Sequence, residues 1–314
     1  MKKLPLVALG TWSWGTGFAG GDQVFGNNLS TGDLKQVFDT AMKAGFNLWD
    51  TAAAYGMGSS ESILGEFVKQ YPRQDIILST KFTPQMAGSS NNPVEEILNA
   101  SLERLGTDYI DIYWIHNPTD VTKWTPELIP FLKNGKVKSV GVSNHNLEEI
   151  KLANSILEQA GFNISAVQNH YSLLYRSSED AGIVDYCKEN NITFLAYMVL
   201  EQGALSGKYN TNNPLPGGSG RGHTYNKVLP QLEDLTDAMK EIGSNKNASV
   251  AQVAIAWTIA KNTLPIIGVT KTSQIVDALN ATKIILTNQE IERIEVLAAN
   301  TGVDTQGAWE KLMV

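Results

Sequence analysis

The segment FNLWDTAAAYG, residues 46–56, joins a short apolar run to a loop, and it carries two polar groups, Asp50 and Tyr55. Asp50 ends the apolar run directly, and Gly45 precedes it. An apolar run of this length, bounded by a glycine and by polar residues, is typical of a buried strand. A carboxylate at the carboxyl end of such a strand is typical of an active site rather than of a hydrophobic core.

Two later segments repeat this arrangement. Residues 75–80 form a strand-like run that leads into Lys81, and residues 109–115 form another that leads into His116. The carboxyl ends of parallel strands meet at one face of a barrel. We therefore expect Asp50, Lys81 and His116, together with Tyr55 in the loop after Asp50, to assemble into one site.

Strand-like and helix-like segments alternate along most of the chain, with helical spacing at residues 33–43, 93–106 and 147–159. Strand ends recur at intervals of roughly 25–35 residues, the length of a strand–helix–strand unit. About eight such units predict an α/β fold, a closed (β/α)8 TIM barrel that forms a single domain over residues 1–314. Long loops are expected at the carboxyl-terminal face of the barrel.

An open, doubly wound sheet is the alternative fold. It would be favoured by a Gly-x-Gly-x-x-Gly turn after the first strand, and residues 10–12 (Gly-Thr-Trp) lack that spacing. Two glycine-rich segments, residues 15–30 and 203–228, interrupt the alternation and are interpreted as functional loops. A disordered insertion is the alternative for residues 203–228, and the sequence does not decide whether that loop is ordered without a ligand.

Composition excludes several classes of protein. The net charge is −7 and no run of Lys or Arg exceeds two residues, which excludes a nucleic-acid partner. Cys187 is the one cysteine, so the chain forms no internal disulfide and suits a reducing, cytoplasmic location. The apolar run at residues 4–9 is too short for a signal peptide or a membrane span. No metal-ligand motif is present, and the oligomeric state is not constrained.

The four strand-end groups can protonate an oxygen atom. A tyrosine hydroxyl has an ordinary pKa of about 10, and we expect the Lys81 ammonium to lower that of Tyr55. Asp50 would keep Lys81 charged and in place, and His116 would orient a carbonyl oxygen by hydrogen bonding. None of these groups supplies electrons, so a reduction at this site requires a separate hydride carrier.

Residues 50–56 (DTAAAYG) and 60–65 (SESILG) together resemble the signature of the aldo-keto reductase family, and the likeness extends from Gly10 to at least Asp277. This resemblance implies an NADPH-dependent oxidoreductase that reduces an aldehyde or ketone to an alcohol by hydride transfer from nicotinamide C4. It implies NADP(H) as the cofactor, with NAD(H) also possible. In the family pattern Tyr55 is the proton donor.

The same resemblance assigns residues to the cofactor. Ser143, Asn144 and Gln168 would hold the nicotinamide carboxamide, and Tyr197 would stack on the nicotinamide ring. The full set implied for the dinucleotide is Thr11, Trp12, Asp50, Ser143, Asn144, Gln168, Tyr197, Leu200, Gln202, Lys208, Arg221, Gly268, Thr270, Lys271 and Gln274.

The phosphate groups are assigned by resemblance to two segments. Residues 200–209 resemble the loop that covers the pyrophosphate, and residues 268–274 resemble the adenosine-phosphate site, where the amides that open a helix attract an anion. Gln274 stands where some members of the family carry an arginine, so Lys271 is the cation expected at the 2′-phosphate. The pattern gives no role to Glu201, which lies in the first of these segments.

The substrate is expected to be a small-molecule carbonyl compound held in an aromatic cleft. Its candidate walls are Trp12, Trp14, Phe82, Tyr171 and Trp309. Two other functions remain open from the sequence. One is a cofactor-binding regulatory or sensor subunit with weak reductase activity, and the other is a barrel isomerase or lyase that uses Lys81 as a Schiff-base amine.

Overall fold

The computed structural model describes residues 2–313, and eight parallel strands in them close into a barrel in chain order. The first strand pairs with the second and also with the eighth, so the sheet closes on itself. The predicted (β/α)8 barrel is therefore confirmed, and the open, doubly wound alternative is wrong. The strands are β1 Ala8–Gly10, β2 Leu48–Asp50, β3 Ile77–Phe82, β4 Ile112–Ile115, β5 Val140–Ser143, β6 Ile164–His170, β7 Thr193–Tyr197 and β8 Leu264–Gly268.

Fourteen α-helices lie within the described residues, most of them between consecutive strands. They are α1 Gly21–Phe25, α2 Thr31–Lys43, α3 Ser59–Val68, α4 Pro93–Leu105, α5 Val121–Trp124, α6 Ile129–Lys133, α7 Leu147–Glu158, α8 Ser177–Asp180, α9 Ile183–Glu189, α10 Gly220–Tyr225, α11 Glu233–Asn245, α12 Val250–Ala260, α13 Thr272–Ala281 and α14 Asn288–Asn300. None of the helices between residues 2 and 313 is long and apolar enough to cross a membrane.

The structure differs from the expected boundaries in a few places. Residues 177–189 form two helices, α8 and α9, rather than one, because Gly182 between them adopts a left-handed conformation with φ of 73°. The strand expected at residues 109–116 shortens to β4, and Ile110 makes only an isolated bridge to Val137. Both segments interpreted as loops contain a short helix, α1 in the first and α10 in the second.

Side-chain alternation along the strands places the polar groups inside the barrel. The interior is filled by an apolar layer that draws one or two residues from most of the strands: Ala8, Leu48, Ile77, Ile112, Trp114, Ala166, Leu195, Leu264 and Ile266. Successive side chains of a strand point to opposite faces, so positions two and four residues further along share this inward direction. Asp50 follows Leu48 by two residues and Lys81 follows Ile77 by four, and both therefore point into the barrel above the apolar layer.

Gly141 in β5 makes room for the large side chain of this layer. A Cβ atom at Gly141 would lie 2.2 Å from Cζ3 of Trp114, a distance that a real contact does not allow. Trp114 is fully buried, so its indole has little freedom to move aside. Glycine is required here because of this close approach and not because of a special backbone conformation.

We expect Gly141→Ala to lower the free energy of unfolding by about 1–3 kcal/mol, because overpacking forces Trp114 or β5 to shift. Urea-induced unfolding followed by far-UV circular dichroism measures this change. Gly217→Ala is the matched control, since a Cβ atom there meets nothing within 4 Å. Equal stability of the two variants would show that the packing of the Trp114 ring tolerates a Cβ atom at residue 141.

Candidate active site

The Lys81 side chain is fully buried, and its ammonium group donates hydrogen bonds to Asp50, Thr51 and Tyr55. Its Nζ atom lies 2.6 Å from Asp50 Oδ2 and 2.8 Å from the carbonyl oxygen of Thr51. It also lies 3.4 Å from the Tyr55 hydroxyl. Burial alone would lower the pKa of Lys81, but the charge of Asp50 and the contact with Tyr55 raise it above its ordinary value. The side chain is therefore an ammonium ion.

The second carboxylate oxygen of Asp50 is also occupied. Asp50 Oδ1 accepts from Ser79 Oγ at 2.6 Å and from Gln168 Nε2 at 3.1 Å. Trp114 Nε1 donates in turn to Ser79 Oγ at 2.6 Å. A buried carboxylate is stable when both of its oxygens have donors, and these contacts fix the direction in which Asp50 faces Lys81.

Ser79 and Trp114 were not among the predicted site residues. The sequence contains a signal for Ser79, because it lies two residues before Lys81 on a strand and must share its inward face. Trp114 precedes His116 by the same interval. Strand alternation could therefore have identified both residues.

Tyr55 lies in the turn after β2, held by aromatic packing. The turn includes Met57 with a positive φ of 51°, and the Tyr55 ring stacks on Trp12 with 5.7 Å between ring centroids. Burial raises the pKa of the Tyr55 hydroxyl and the nearby Asp50 charge adds to this, while Lys81 opposes it. Lys81 lowers the pKa of Tyr55 as the sequence predicted, but burial outweighs the ammonium and the net pKa is raised.

His116 lies beside Tyr55, and its ring is neutral. Burial, together with the Lys81 charge, holds the pKa of His116 well below its ordinary value. Its Nδ1 atom lies 2.8 Å from Thr83 Oγ1, and the His116 and Tyr55 rings meet edge to face with centroids 5.9 Å apart. If the Thr83 hydroxyl donates to Nδ1, the ring proton lies on Nε2, where it can be donated to a ligand.

The four residues predicted to hold the nicotinamide lie next to this cluster. Asn144 adopts a positive φ of 63°, and its Nδ2 atom donates to the carbonyl oxygen of His116 at 2.9 Å and to Ser143 Oγ at 3.2 Å. The Tyr197 hydroxyl oxygen lies 2.6 Å from Asn144 Oδ1, within hydrogen-bond distance. Gln168 reaches the same region through its contact with Asp50. The structure thus joins the four residues and the catalytic candidates in one polar set.

The loop after β7 is strained and carries cations. Positive φ angles occur at Met198, Glu201 and Gln202, which are uncommon for residues with side chains and concentrate at functional sites. Arg221 Nη1 donates to the carbonyl oxygen of Gln202 at 3.1 Å, whereas its buried Nε atom has no partner among residues 2–313. The Lys208 ammonium lies 5.0 Å and the Arg221 guanidinium 5.6 Å from the centre of the Tyr209 ring, so two positive charges converge there. Leu200 and Gln202 are the other two predicted cofactor residues in this region. The carbonyl oxygen of Leu200 accepts hydrogen bonds within the turn, and that of Gln202 accepts from Arg221.

The predicted phosphate site at the end of β8 is already occupied by a side chain of the protein. Gln274 Oε1 accepts from the backbone N–H groups of Thr270 and Lys271 at 2.7 and 2.9 Å. These are donors that the sequence assigned to an anion. Gly268 is exposed at the strand end, and Lys271 is exposed beside it. An anion bound here would have to displace the Gln274 amide.

Two of the residues predicted to contact the cofactor use their polar atoms elsewhere. Thr11 Oγ1 lies 2.9 Å from Ser60 Oγ and 3.2 Å from the carbonyl oxygen of Asp50. Trp12 Nε1 donates to the carbonyl oxygen of Ala19 at 3.0 Å. Thr11 therefore ties β1 to α3, and Trp12 offers the site its ring rather than a hydrogen bond.

The predicted aromatic walls divide into two groups. Trp14, Phe82 and Tyr171 are buried in the layer between strands and helices, so their assignment to a substrate cleft was wrong. Trp12 and Trp309 meet edge to face above Tyr55, with ring centroids 6.1 Å apart. Trp14 and Tyr171 lie in the segments that follow β1 and β6, and Phe82 ends β3 with its side chain facing outward. Packing against the helices keeps all three away from the barrel mouth.

Within residues 2–313, no group of three or more His, Cys, Asp or Glu side chains is placed to bind a metal ion. The charge in the site is instead supplied by a lysine and an aspartate. The arrangement suits proton transfer to an oxygen held near Tyr55 and His116.

The family model of the Aldo/keto reductase family matches residues 6–299. The match spans all eight strands of the barrel. The chain belongs to this family, whose members are oxidoreductases.

Individual relatives agree with this assignment. The chain is 32% identical over 309 residues to the chloroplastic pyridoxal reductase of Arabidopsis thaliana, covering 93% of this chain and 82% of the relative. It is 30% identical over 299 residues to the NADH-specific methylglyoxal reductase of Escherichia coli, covering 84% and 87%. A thermostable aldo-keto reductase solved with the inhibitor epalrestat superposes with a TM-score of 0.76 at 25% identity, covering 94% of this chain and 95% of the other.

We expect Lys81→Met to lower the free energy of unfolding by about 3–5 kcal/mol, because it leaves the Asp50 carboxylate buried without its cation. Asp50→Asn should also destabilise the fold, by leaving the ammonium uncompensated. The double variant should be more stable than the sum of the two losses predicts. A double-mutant cycle measured by urea unfolding gives the coupling energy. Additive losses within about 0.5 kcal/mol would show that the pair is not coupled.

Proposed function

We propose that this protein reduces an aldehyde or a ketone to an alcohol with NADPH and that Tyr55 donates the proton. The observation that carries this proposal is the contact of 3.4 Å between the Tyr55 hydroxyl and the Lys81 ammonium. The other donors of this ammonium are occupied by Asp50 and Thr51. Lys81 is therefore aimed at the one oxygen that would become negative when Tyr55 gives up its proton.

The pKa directions support a reduction. A raised pKa keeps the proton on Tyr55 at neutral pH, so the donor is loaded before the reaction begins. As negative charge develops on the carbonyl oxygen, the proton moves to that oxygen and the phenolate left on Tyr55 is stabilised by Lys81. Such an interaction is stronger in the transition state than in the ground state, which is the condition for it to accelerate the reaction.

His116 would orient the substrate. Its ring is neutral, so it does not compete with Tyr55 as an acid, and Nε2–H would donate a hydrogen bond to the carbonyl oxygen. The edge-to-face contact with the Tyr55 ring keeps the two donors close together. One oxygen atom could therefore accept from both.

The residues near the barrel mouth fit a nicotinamide dinucleotide, which supplies the hydride when bound. Ser143, Asn144 and Gln168 offer amide and hydroxyl groups that match a carboxamide, and Tyr197 offers an aromatic ring beside them. Arg221 carries a buried Nε–H donor that has no acceptor among residues 2–313, and since such a donor is costly to leave unpaired, it supports an anion at this position. Together with Lys208 it would hold the pyrophosphate.

NADPH rather than NADH is proposed because of Lys271. Its exposed ammonium and the backbone N–H groups of Thr270 and Lys271 would bind a 2′-phosphate after the Gln274 amide has moved aside. NADH remains the alternative, since the relative from Escherichia coli is NADH-specific by name. The uncharged Gln274 adds no attraction for the phosphate.

A Schiff-base mechanism at Lys81 is disfavoured by the same geometry. An amine must be unprotonated to attack a carbonyl carbon, and Asp50 raises the pKa of Lys81 at a distance of 2.6 Å. A purely regulatory role is disfavoured because the proton-donating cluster of Asp50, Tyr55, Lys81 and His116 is complete. The barrel supplies every residue of the proposed site, which supports one catalytic domain over residues 1–314.

The substrate class is a small carbonyl compound. Two relatives are named for pyridoxal and for methylglyoxal, which differ in size and polarity. A screen of aldehydes and ketones that includes both compounds, with NADPH and NADH in parallel, tests the activity directly. Consumption of neither cofactor with any carbonyl compound would contradict the proposed function.

We also propose a cytoplasmic location, in keeping with the single cysteine, Cys187. Burial raises the pKa of its thiol to about 12.

We expect Tyr55→Phe to reduce turnover by at least 100-fold, a typical contribution of a general acid. Dinucleotide affinity should change little, because the hydroxyl acts when charge develops on the substrate oxygen. Steady-state kinetics and fluorescence titration with NADPH measure the two quantities. Tyr186→Phe is the control, since this tyrosine lies on α9 away from the site. Turnover of Tyr55→Phe within a few-fold of the wild type would remove Tyr55 as the proton donor.

We expect Lys271→Ala to raise the Kd for NADPH about tenfold and to leave the Kd for NADH nearly unchanged, because only NADPH carries the 2′-phosphate. Isothermal titration calorimetry at low salt measures both values, and low salt is needed because Lys271 is exposed. Lys283→Ala, a loss of the same charge at another exposed position, is the control. An equal change for both cofactors would place Lys271 outside the phosphate site.

A further inference from the structure

The segment that follows α14, residues 301–313, crosses the barrel mouth and is called the tail here. Its Thr305 Oγ1 atom donates to Glu201 Oε1 at 3.0 Å, and Trp309 meets Trp12 above the site. Further along, Lys311 pairs with Glu149, and the buried side chain of Met313 lies with its sulfur 3.6 Å from Asn169 Nδ2. The tail is therefore anchored along its length.

Within this region, His170 lies between two buried carboxylates. His170 Nε2 is 2.8 Å from Glu201 Oε1, and His170 Nδ1 is 3.0 Å from Glu310 Oε1. All three side chains have 0% exposure. Burial would lower the pKa of His170, but Glu201 and Glu310 raise it to about 9. The group is a carboxylate–imidazolium–carboxylate array (Glu201, His170 and Glu310) that joins the loop after β7 to the tail.

The array also gives the charge of Glu201 a partner, His170. The sequence pattern assigns no role to Glu201. Glu201 Oε2 accepts from the Tyr225 hydroxyl at 2.6 Å, and Oε1 accepts from the hydroxyls of Ser172 and Thr305. With so many donors, Glu201 is fixed in place and holds His170 charged. The remaining ring nitrogen of His170 then fixes Glu310.

Glu310 reaches the proposed nicotinamide site through Tyr197. The Tyr197 oxygen lies 2.7 Å from Glu310 Oε1 and 2.6 Å from Asn144 Oδ1. A hydroxyl has one proton, so it can donate to only one of these two acceptors at a time. The Asn144 amide cannot turn to relieve the conflict, because its Nδ2 atom is held by the carbonyl oxygen of His116 at 2.9 Å.

We propose that Glu310 is a positioning residue of the reaction: by accepting the Tyr197 proton, it leaves Asn144 Oδ1 free to accept from the nicotinamide carboxamide. The His170–Glu201 part of the array holds Glu310 in place for this purpose. This inference rests on the proposed function, since it requires a nicotinamide at the site. Without Glu310, the Tyr197 hydroxyl would donate to Asn144 and occupy one of the two lone pairs of Oδ1, which makes that oxygen a weaker acceptor for the carboxamide.

A purely structural role for Glu310 would have different consequences. The Lys311–Glu149 pair and the buried Met313 anchor the tail on their own. Loss of Glu310 should therefore leave the tail on the barrel and act mainly on Tyr197. Its effect should be confined to ligands that contain nicotinamide.

Calorimetric titration with NADP+ and with 2′,5′-ADP, which lacks nicotinamide, separates these roles. We expect Glu310→Ala to raise the Kd for NADP+ about tenfold, the effect of one lost hydrogen bond, and to leave the Kd for 2′,5′-ADP unchanged. Glu310→Gln should retain most of the affinity, since its amide oxygen still accepts from Tyr197. Asp304→Asn is the matched control, because it removes the same charge from an exposed position of the tail.

Equal weakening of both ligands by Glu310→Ala, or weakening of neither, would overturn the role of Glu310. Failure of the wild type to bind any dinucleotide would overturn the proposed function and this role with it. A second measurement needs no ligand: the Gly307 N–H group donates to Glu310 Oε2 at 3.0 Å, and its hydrogen exchange reports on the array. Glu201→Gln should accelerate this exchange, and an unchanged rate would show that Glu201 does not hold Glu310.

Discussion

The ion pair between Lys81 and Asp50 is the interaction on which the candidate site depends. Two opposite charges are stable inside a barrel only when each has further polar partners, and here those partners are Thr51, Tyr55, Ser79 and Gln168. The pair gives Tyr55 a fixed ammonium beside its hydroxyl. Burial keeps His116 neutral by lowering its pKa, and the Lys81 charge lowers that pKa further. The buried pair therefore acts together with burial on the protonation states of Tyr55 and His116.

The barrel and the four strand-end residues could be predicted because both follow from short-range patterns. A strand of alternating side chains has a defined inward face, and parallel strands present their carboxyl ends together, so Asp50 and Lys81 had to meet. The pKa of Tyr55 could not be predicted in the same way. Its direction depends on how completely the hydroxyl is withdrawn from water, which is a property of the assembled site and not of the Tyr–Lys spacing.

Glu201 and Glu310 show the limit of sequence reasoning more clearly. The loop and the tail that carry them have no periodic pattern, and His170 and Glu310 are 140 positions apart. Their meeting depends on the path of the tail across the barrel mouth. The role of a carboxylate such as Glu201 therefore cannot be assigned from the sequence, because its partner His170 is known only from the folded structure. Conversely, Trp14, Phe82 and Tyr171 had the composition of a ligand cleft but serve the packing between strands and helices.

In this site, burial outweighs the adjacent ammonium, so the pKa of the Tyr55 hydroxyl lies above its ordinary value. The most direct test is a titration of protein labelled with 13C at tyrosine Cζ, followed by NMR, with Tyr55→Phe identifying the Tyr55 signal. The structure predicts that this signal titrates with a midpoint above pH 10, because burial raises the pKa above its ordinary value of 10.0. A Tyr55 signal that titrates below pH 10 would show that Lys81 outweighs burial and would contradict the claim.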